Sequence, residues 1–224
     1  MAKRSSGPAA PRTPLTRERI LRAAMSVADA GGVAGLTIRS LATELGVKPM
    51  AVYHHVANKD EILDGIVDLV FDAIELPAEE GEWQPELRRA ASSARAVLKQ
   101  HPWAVSLLES RTSPGPATLR HHDVIIGTLR RAGFSVTDTA HAYAVLDAFV
   151  YGFALQEASL PFDEPGDVPE VAAPMVERMP EGQYPHLVEF ATEHVMRPGY
   201  DFGDEFDFGL DLVLDGLARL LVED

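Results

Sequence analysis

Between residues 36 and 59 the chain concentrates groups that donate hydrogen bonds to anions and to polar edges. They are the hydroxyls of Thr37 and Tyr53, the cations Arg39, Lys48 and Lys59, and the adjacent imidazoles of His54 and His55, with Pro49, Met50 and Ala51 among them. Such a set binds rather than cleaves. Nucleophilic or metal-assisted chemistry would need different patterns, and the chain has no G-x-S-x-G, no phosphate loop, no H-E-x-x-H and no Gly-rich dinucleotide turn. With no cysteine at all, disulfides, Cys-ligated zinc and thiol nucleophiles are excluded. No catalytic residues are assigned.

The elements that must position these groups are legible around them. Thr16 can cap a helix whose apolar residues Ile20, Leu21, Ala24, Val27 and Ala28 recur at three- and four-residue spacing. Gly31 and Gly32 predict its end. Thr37 caps a second, short helix, with Leu36 and Leu41 placed as a hydrophobic staple and Leu41, Ala42 and Leu45 as its buried face. Gly46 breaks that helix, and Pro49 suits the first turn of a third, about 49–55. Asn58 with Glu61 predicts a capping box for a fourth helix, ended by Pro77. The segment LTIRSLATELGVKPMAVYHHV, residues 36–56, therefore has the layout of a helix-turn-helix: two short helices meeting at a glycine, the second lying in a DNA major groove.

Charge distribution agrees. The chain has 224 residues and a net charge of −14, yet residues 1–59 carry +6 and the remainder −20. A basic head on an acidic body is expected when only one end meets phosphate. Hydrophobic residues make up 46% of the chain, which suits a packed core, and no apolar run is long enough to span a membrane. A reducing cytoplasm is the simplest setting. Residues 1–13, rich in Ser, Pro and basic side chains, read as a disordered arm. Beyond Pro77 the periodicity predicts helices near 84–100, 103–110, 115–132, 137–159, 184–195 and 205–222, with a loop at 161–182 holding a short helix at 169–178. The expected fold is all-α. A three-helix DNA-binding head sits within 14–75, and a larger helical ligand-binding and dimerisation domain occupies 76–224.

Taken together, the helix from Thr16, the Leu36–Arg39 run, Leu41-Ala42, Leu45-Gly46-Val47, Tyr53-His54-His55-Val56 and Asn58-Lys59 resemble the TetR family of transcriptional regulators. Residues 206–217 resemble the last helix of its tetracycline-repressor branch. The resemblance implies roles that the chemistry supports. Thr37 and Tyr53 would hold phosphate oxygens, and Arg39 a base edge or a phosphate. Lys48, Pro49, Met50 and Ala51 would face the groove, with Met50 and Ala51 against thymine methyls. His54 and His55 would lie near the backbone, and Lys59 would meet phosphate at a helix N-terminus. Tyr53 could instead pack the motif's core.

The resemblance also implies a homodimer on a two-fold symmetric operator, with heads about 34–36 Å apart, released by a small-molecule effector. Pocket candidates on the central helices are His101, Trp103, Arg111, His122, Tyr143, Phe149, Phe153 and Gln156; core or surface positions are the alternative for each. The branch's magnesium-chelated drug puts His101, His121 and His122 forward as metal ligands. Adjacent helical residues point apart, so neither metal nor cofactor is expected. Tyr143, Leu146 and Val150, with Leu210, Val213, Leu214 and Leu217, read as a dimer seam or as core within one subunit. Two other functions stay open at this point: a ligand-binding helical protein without operator-specific repression, and an activator using the same motif.

Overall fold

A computed structural model describes residues 14–108, 110–162 and 168–221, and the expected arm at 1–13 lies outside them. Every regular element among the described residues is helical. The first four are α1 (Arg17–Gly35), α2 (Ile38–Leu45), α3 (Pro49–Val52) and α4 (Lys59–Ala73). Three start at side-chain caps. Thr16 accepts from the Arg19 amide at 3.2 Å, Thr37 from the Ser40 amide at 3.0 Å and Asn58 from the Glu61 amide at 2.8 Å. Each satisfies an amide that the helix itself leaves without a partner. Ser40 returns the contact to the Thr37 amide, closing a capping box at α2. Glu61 reaches one residue further than a capping box requires, to the Ala57 amide at 2.7 Å. Helical geometry in α1 breaks at Gly32, with φ 67° and ψ 174°, where the glycine pair predicts a stop.

The head's core is Ile20, Leu21, Ala24 and Ala28 of α1 against Leu41, Ala42 and Leu45 of α2, Val52 and Val56, and Ile62, Leu63 and Ile66 of α4, all buried. Leu36 is buried with Leu41, as the staple requires.

The remaining elements are α5 (Trp83–Gln100), a 3-10 turn (Pro102–Ala104), α6 (Val105–Leu108), α7 (Pro116–Arg131), α8 (Val136–Ala158), α9 (Val168–Glu177) and α10 (Pro185–Phe190). A wide π-type turn (Ala191–Val195), α11 (Asp204–Ala218) and a 3-10 turn (Arg219–Leu221) complete the chain. The segment expected as one helix at 103–110 divides into a 3-10 turn and a single α turn, because Pro102 starts a tight turn directly behind α5. The segment expected at 184–195 divides where the π-type turn follows α10. In the body, α4 packs on α7, α5 on α8, α7 on α8 and α11 on α8. Among the described residues no helix is long and apolar enough to cross a membrane.

Within the seam residues, the structure separates the two readings. Leu146 and Val150 of α8, and Leu210, Leu214 and Leu217 of α11, are buried inside the subunit, with Tyr143 and Val213 half-buried against them. Their periodicity marks the internal core. The other faces of the same helices leave Val145 and Leu155 on α8, and Phe208 and Leu212 on α11, exposed.

Candidate nucleic-acid interface and effector chamber

Gly46 joins α2 to α3 in the left-handed region, φ 66° and ψ 32°. A side chain with a Cβ is disfavoured in that conformation, which is why the turn needs glycine. The Val47 amide closes back on the Ala42 carbonyl at 2.9 Å. Val52 and Val56 are buried and lock α3 to α1 and α2, so the rest of α3 points out. Met50 is 67% exposed and Tyr53 46% exposed, so the Tyr53 ring faces outward and the valines do the packing. Regular helix ends at Val52, and His54 and His55 lie exposed in the turn behind it. Lys48 and Pro49 open the helix and are exposed; Ala51 is half-buried.

Thr37 is exposed, and its oxygen already accepts the Ser40 amide, so its own proton is left for Ser40 Oγ at 3.1 Å or for an outside acceptor. Among the described residues Arg39 and Lys48 are exposed and take part in no ion pair. Lys59 opens α4 with Nζ 3.5 Å from the Val33 carbonyl, beside the end of α1. Arg17 pairs with Glu61 at 3.2 Å, and the Ala57 amide, helped by Arg17, holds the Glu61 carboxyl below the usual carboxylate range. Apart from half-buried Ala51, the sequence candidates are exposed, and they present donors, cations and the Met50 side chain.

One pattern escapes a motif-by-motif reading. Asp60, Asp64, Asp68 and Asp72 stand four residues apart along one face of α4. In an isolated helix that spacing is repulsive. Here each carboxylate meets the body. Arg111 donates from Nε to Asp64 at 2.5 Å and from Nη2 to Asp60 at 3.2 Å. The Thr118 amide and hydroxyl donate to Asp68 at 2.8 and 3.1 Å, and Arg120 to Asp72 at 2.8 Å. A Cβ at Gly115 would sit 2.3 Å from the Asp68 carboxyl carbon, so glycine permits this close approach. From α1, one oxygen of Asp29 takes both the His101 Nδ1 at 2.7 Å and the Trp103 Nε1 at 2.6 Å. Of the expected pocket residues, His101, Trp103 and Arg111 therefore fasten the body to the head. Asp64 raises the Arg111 pKa above its ordinary value.

Behind that junction lie two cavities, one on each side of the histidine pair. The first, between α5, α7 and α8, is lined by Leu87, Ala90, Ala94, His121, Leu146 and Val150 among others, and holds about 30 Å³. His121 is 6% exposed, and among the described residues its Nδ1 has no hydrogen-bond partner. Burial, with a smaller contribution from neighbouring His122, pushes its pKa down to about 4, so the ring is neutral. An unpaired buried nitrogen of this kind costs about 1–3 kcal/mol. The second cavity, about 150 Å³, is lined by Asp64, Leu108, Arg111, Thr118 and His122. Tyr143 Oη lies 2.5 Å from His122 Nδ1. The Phe71 ring of α4 touches both histidines, with centroids 5.0 and 5.3 Å away.

The remaining candidates lie elsewhere. Phe149 and Phe153 stack with Phe202 and Phe206 against Arg95, and Gln156 is exposed. A further cavity of about 250 Å³ is lined by Lys99, Glu157, Phe162, Asp201 and Phe202 among others. Its Glu157 already accepts from Arg95 and Lys99, and these cations, Arg95 first, hold its carboxyl below the usual range.

Known proteins share this arrangement. Residues 20–66 match the model for bacterial regulatory proteins of the tetR family, and residues 76–221 the model for the tetracyclin repressor-like C-terminal domain. The HTH-type transcriptional repressor DrrR1 of Streptomyces coeruleorubidus is 31% identical over 222 residues, spanning 95% of this chain and 81% of that protein. The class A tetracycline repressor from transposon 1721 of Escherichia coli is 29% identical, covering 92% of each chain. Among solved structures, ActR of Streptomyces coelicolor in complex with actinorhodin superimposes with a TM-score of 0.76 at 28% identity, over 94% of this chain and all of that one.

Proposed function

The chain belongs to the TetR family of bacterial transcriptional regulators, and from that premise we propose that it is a homodimeric repressor released from a two-fold symmetric operator by a small molecule. It acts in the cytoplasm on chromosomal DNA and performs no catalysis. Residues 14–75 read the operator and residues 76–224 bind the effector and dimerise. Thr37, Tyr53, His54, His55 and Lys59 hold the phosphate backbone, and Arg39, Lys48, Pro49, Met50 and Ala51 address the groove. The exposed apolar faces of α8 and α11, with Val145, Leu155, Phe208 and Leu212, form the two-fold contact.

The observation that carries this reading is α4. One helix begins at the operator surface with Lys59 and ends against the histidine pair through Phe71. Its aspartates are held by Arg111, Thr118 and Arg120 of the body. A ligand that separates α7 from α5 and α8 must therefore move the groups that hold α4. Because two heads must match successive groove faces, a small shift of α4 removes affinity for the operator. The effector site lies at the two cavities beside His121 and His122, with Tyr143 on the His122 side. ActR, similar to this chain over nearly its whole length, has been crystallised with actinorhodin and with (S)-DNPA, which supports a small-molecule effector.

The test is selection of bound fragments from random and genomic DNA, followed by anisotropy titration against salt. The expected result is a two-fold symmetric site bound by a dimer and far preferred over scrambled DNA. A dimer with no preference above nonspecific DNA would overturn operator recognition. Activation of the natural promoter by ligand-free protein in vitro would overturn repression.

A further inference from the structure

Taking the chamber between α5, α7 and α8 as the effector site, we propose that His121 reads the effector through Nδ1 and selects an uncharged, apolar ring compound that carries a hydroxyl group. Three observations define that class. The first is the buried nitrogen itself: His121 is 6% exposed, it lines the chamber, and among the described residues its Nδ1 has no partner. A hydroxyl entering the chamber meets that atom, whereas a ligand of the same shape without one leaves it unpaired. Sites built around a buried polar atom discriminate strongly against analogues that cannot pair with it.

The second observation is charge. The lining residues include no Lys or Arg, and the acidic side chain among them is Asp147. His121 is neutral across the physiological range, since its pKa lies at about 4. A carboxylate would be stripped of water with no cation to receive it, so anions are rejected. The third is shape. Ala90, Ala91 and Ala94 give α5 a low wall facing Leu146 and Val150 of α8. The chamber holds only about 30 Å³ as it stands, so the occupant must part these helices. A flat ring parts them least. The imidazole it contacts already touches Phe71 of α4, so the atom that recognises the ligand is one ring away from the helix that carries the head.

Three probes of one size separate these claims: 2-naphthol, 2-methylnaphthalene and 2-naphthoate, titrated into full-length protein at pH 7 by calorimetry. The expected ranking puts 2-naphthol about tenfold tighter than 2-methylnaphthalene, as one well-made hydrogen bond implies, and 2-naphthoate weakest. In His121→Leu the naphthol advantage falls to within about twofold while 2-methylnaphthalene binding is kept. His121→Phe, which preserves the ring shape, serves the same purpose should the leucine variant not fold. Tight binding of 2-naphthoate overturns the ligand class. A naphthol advantage that survives in both variants overturns the assignment to His121, as does an equal affinity for 2-naphthol and 2-methylnaphthalene in the unaltered protein. Failure of all three probes to bind overturns the chamber as the effector site, and the role of His121 with it.

Discussion

At the operator surface the polar groups face outward: Arg39 and Lys48 are exposed without ion pairs among the described residues, and Met50 stands between them 67% exposed. In the chamber between α5, α7 and α8 the arrangement is inverted: the lining is mostly apolar, and His121 Nδ1 is buried without a partner among the described residues. The difference shows why the two ligands have different consequences. The candidate DNA face is already formed, held by caps and buried valines. A small molecule meets a chamber of about 30 Å³ and enters only by parting helices. Binding at the second place is therefore a structural change, whereas binding at the first is a test of one. α4 runs from the candidate DNA face to the histidine pair, and the experiments that separate the two regions act on it or on its contacts.

The largest effect is expected at Phe71, the fully buried ring between α4 and the two histidines. Phe71→Ala should lower stability by about 3–5 kcal/mol in urea unfolding, since a cavity opens at the meeting point of the two regions. A loss near zero would mean that α4 is not packed against α7 in solution, and the comparison would lose its link.

Next comes pH. The His121 pKa is depressed to about 4, chiefly by burial, from an ordinary value of about 6.5. Between these values the unfolded chain binds a proton that the folded chain refuses, so stability is full above pH 6.5 and falls as pH drops toward 4. The total is about 3 kcal/mol, from roughly 2.5 pKa units at 1.36 kcal/mol each. In His121→Leu this part of the pH dependence should vanish. Parallel stability curves for both proteins between pH 4 and 7 would show that the imidazole is solvated, and the contrast between chamber and surface would fail.

The same contrast explains what could be read from the amino-acid sequence. Thr16, Thr37, Asn58 and Gly46 act on amides and carbonyls within five residues of themselves, so the head was legible from local chemistry down to its caps and staple. The chamber was not, because His121 matters only once α5 and α8 meet α7, and spacing along the chain does not say which helices meet. Spacing alone offers His121 as a metal ligand and puts forward Phe149 and Phe153, whose aromaticity serves the core against α11. On α8 and α11 apolar residues occupy more than one face, and the expected seam residues lie on the face turned inward. The aspartates at 60, 64, 68 and 72 gain meaning only from what they hold, Arg111 and Thr118, which lie in a loop and a helix that spacing cannot place.

Arg111→Met tests that repeat. Arg111 and Asp64 are largely buried, with side chains 16% and 20% exposed, and removing the cation leaves Asp60 and Asp64 unpaired on one face. The expected loss is about 1–3 kcal/mol, much of it regained when Asp64→Asn is added, because a buried charge without a partner costs more than a missing pair. Operator affinity in the ligand-free protein should also fall, since α4 is released from the body. Unchanged stability and affinity would place the junction's strength at Asp29 with His101 and Trp103 instead.

The smallest expected change in stability, and the sharpest on function, is at Lys59. Its side chain is exposed and reaches only the Val33 carbonyl at 3.5 Å. Lys59→Ala should therefore alter unfolding by no more than about 0.5 kcal/mol. On DNA the same substitution should weaken binding to operator and scrambled sequence alike, and flatten the salt dependence by about one unit, because one phosphate contact and its released counterion are gone. Arg39→Ala should differ in kind: loss of a base-edge contact relaxes preference at one position of the operator rather than lowering every affinity together. If both variants lose affinity uniformly, Arg39 is a phosphate contact, and base reading falls to Lys48, Met50 and Ala51 on α3. If Lys59→Ala leaves the salt slope intact, the N-terminus of α4 does not meet the backbone, and α4 would join the chamber to the head without itself touching the operator.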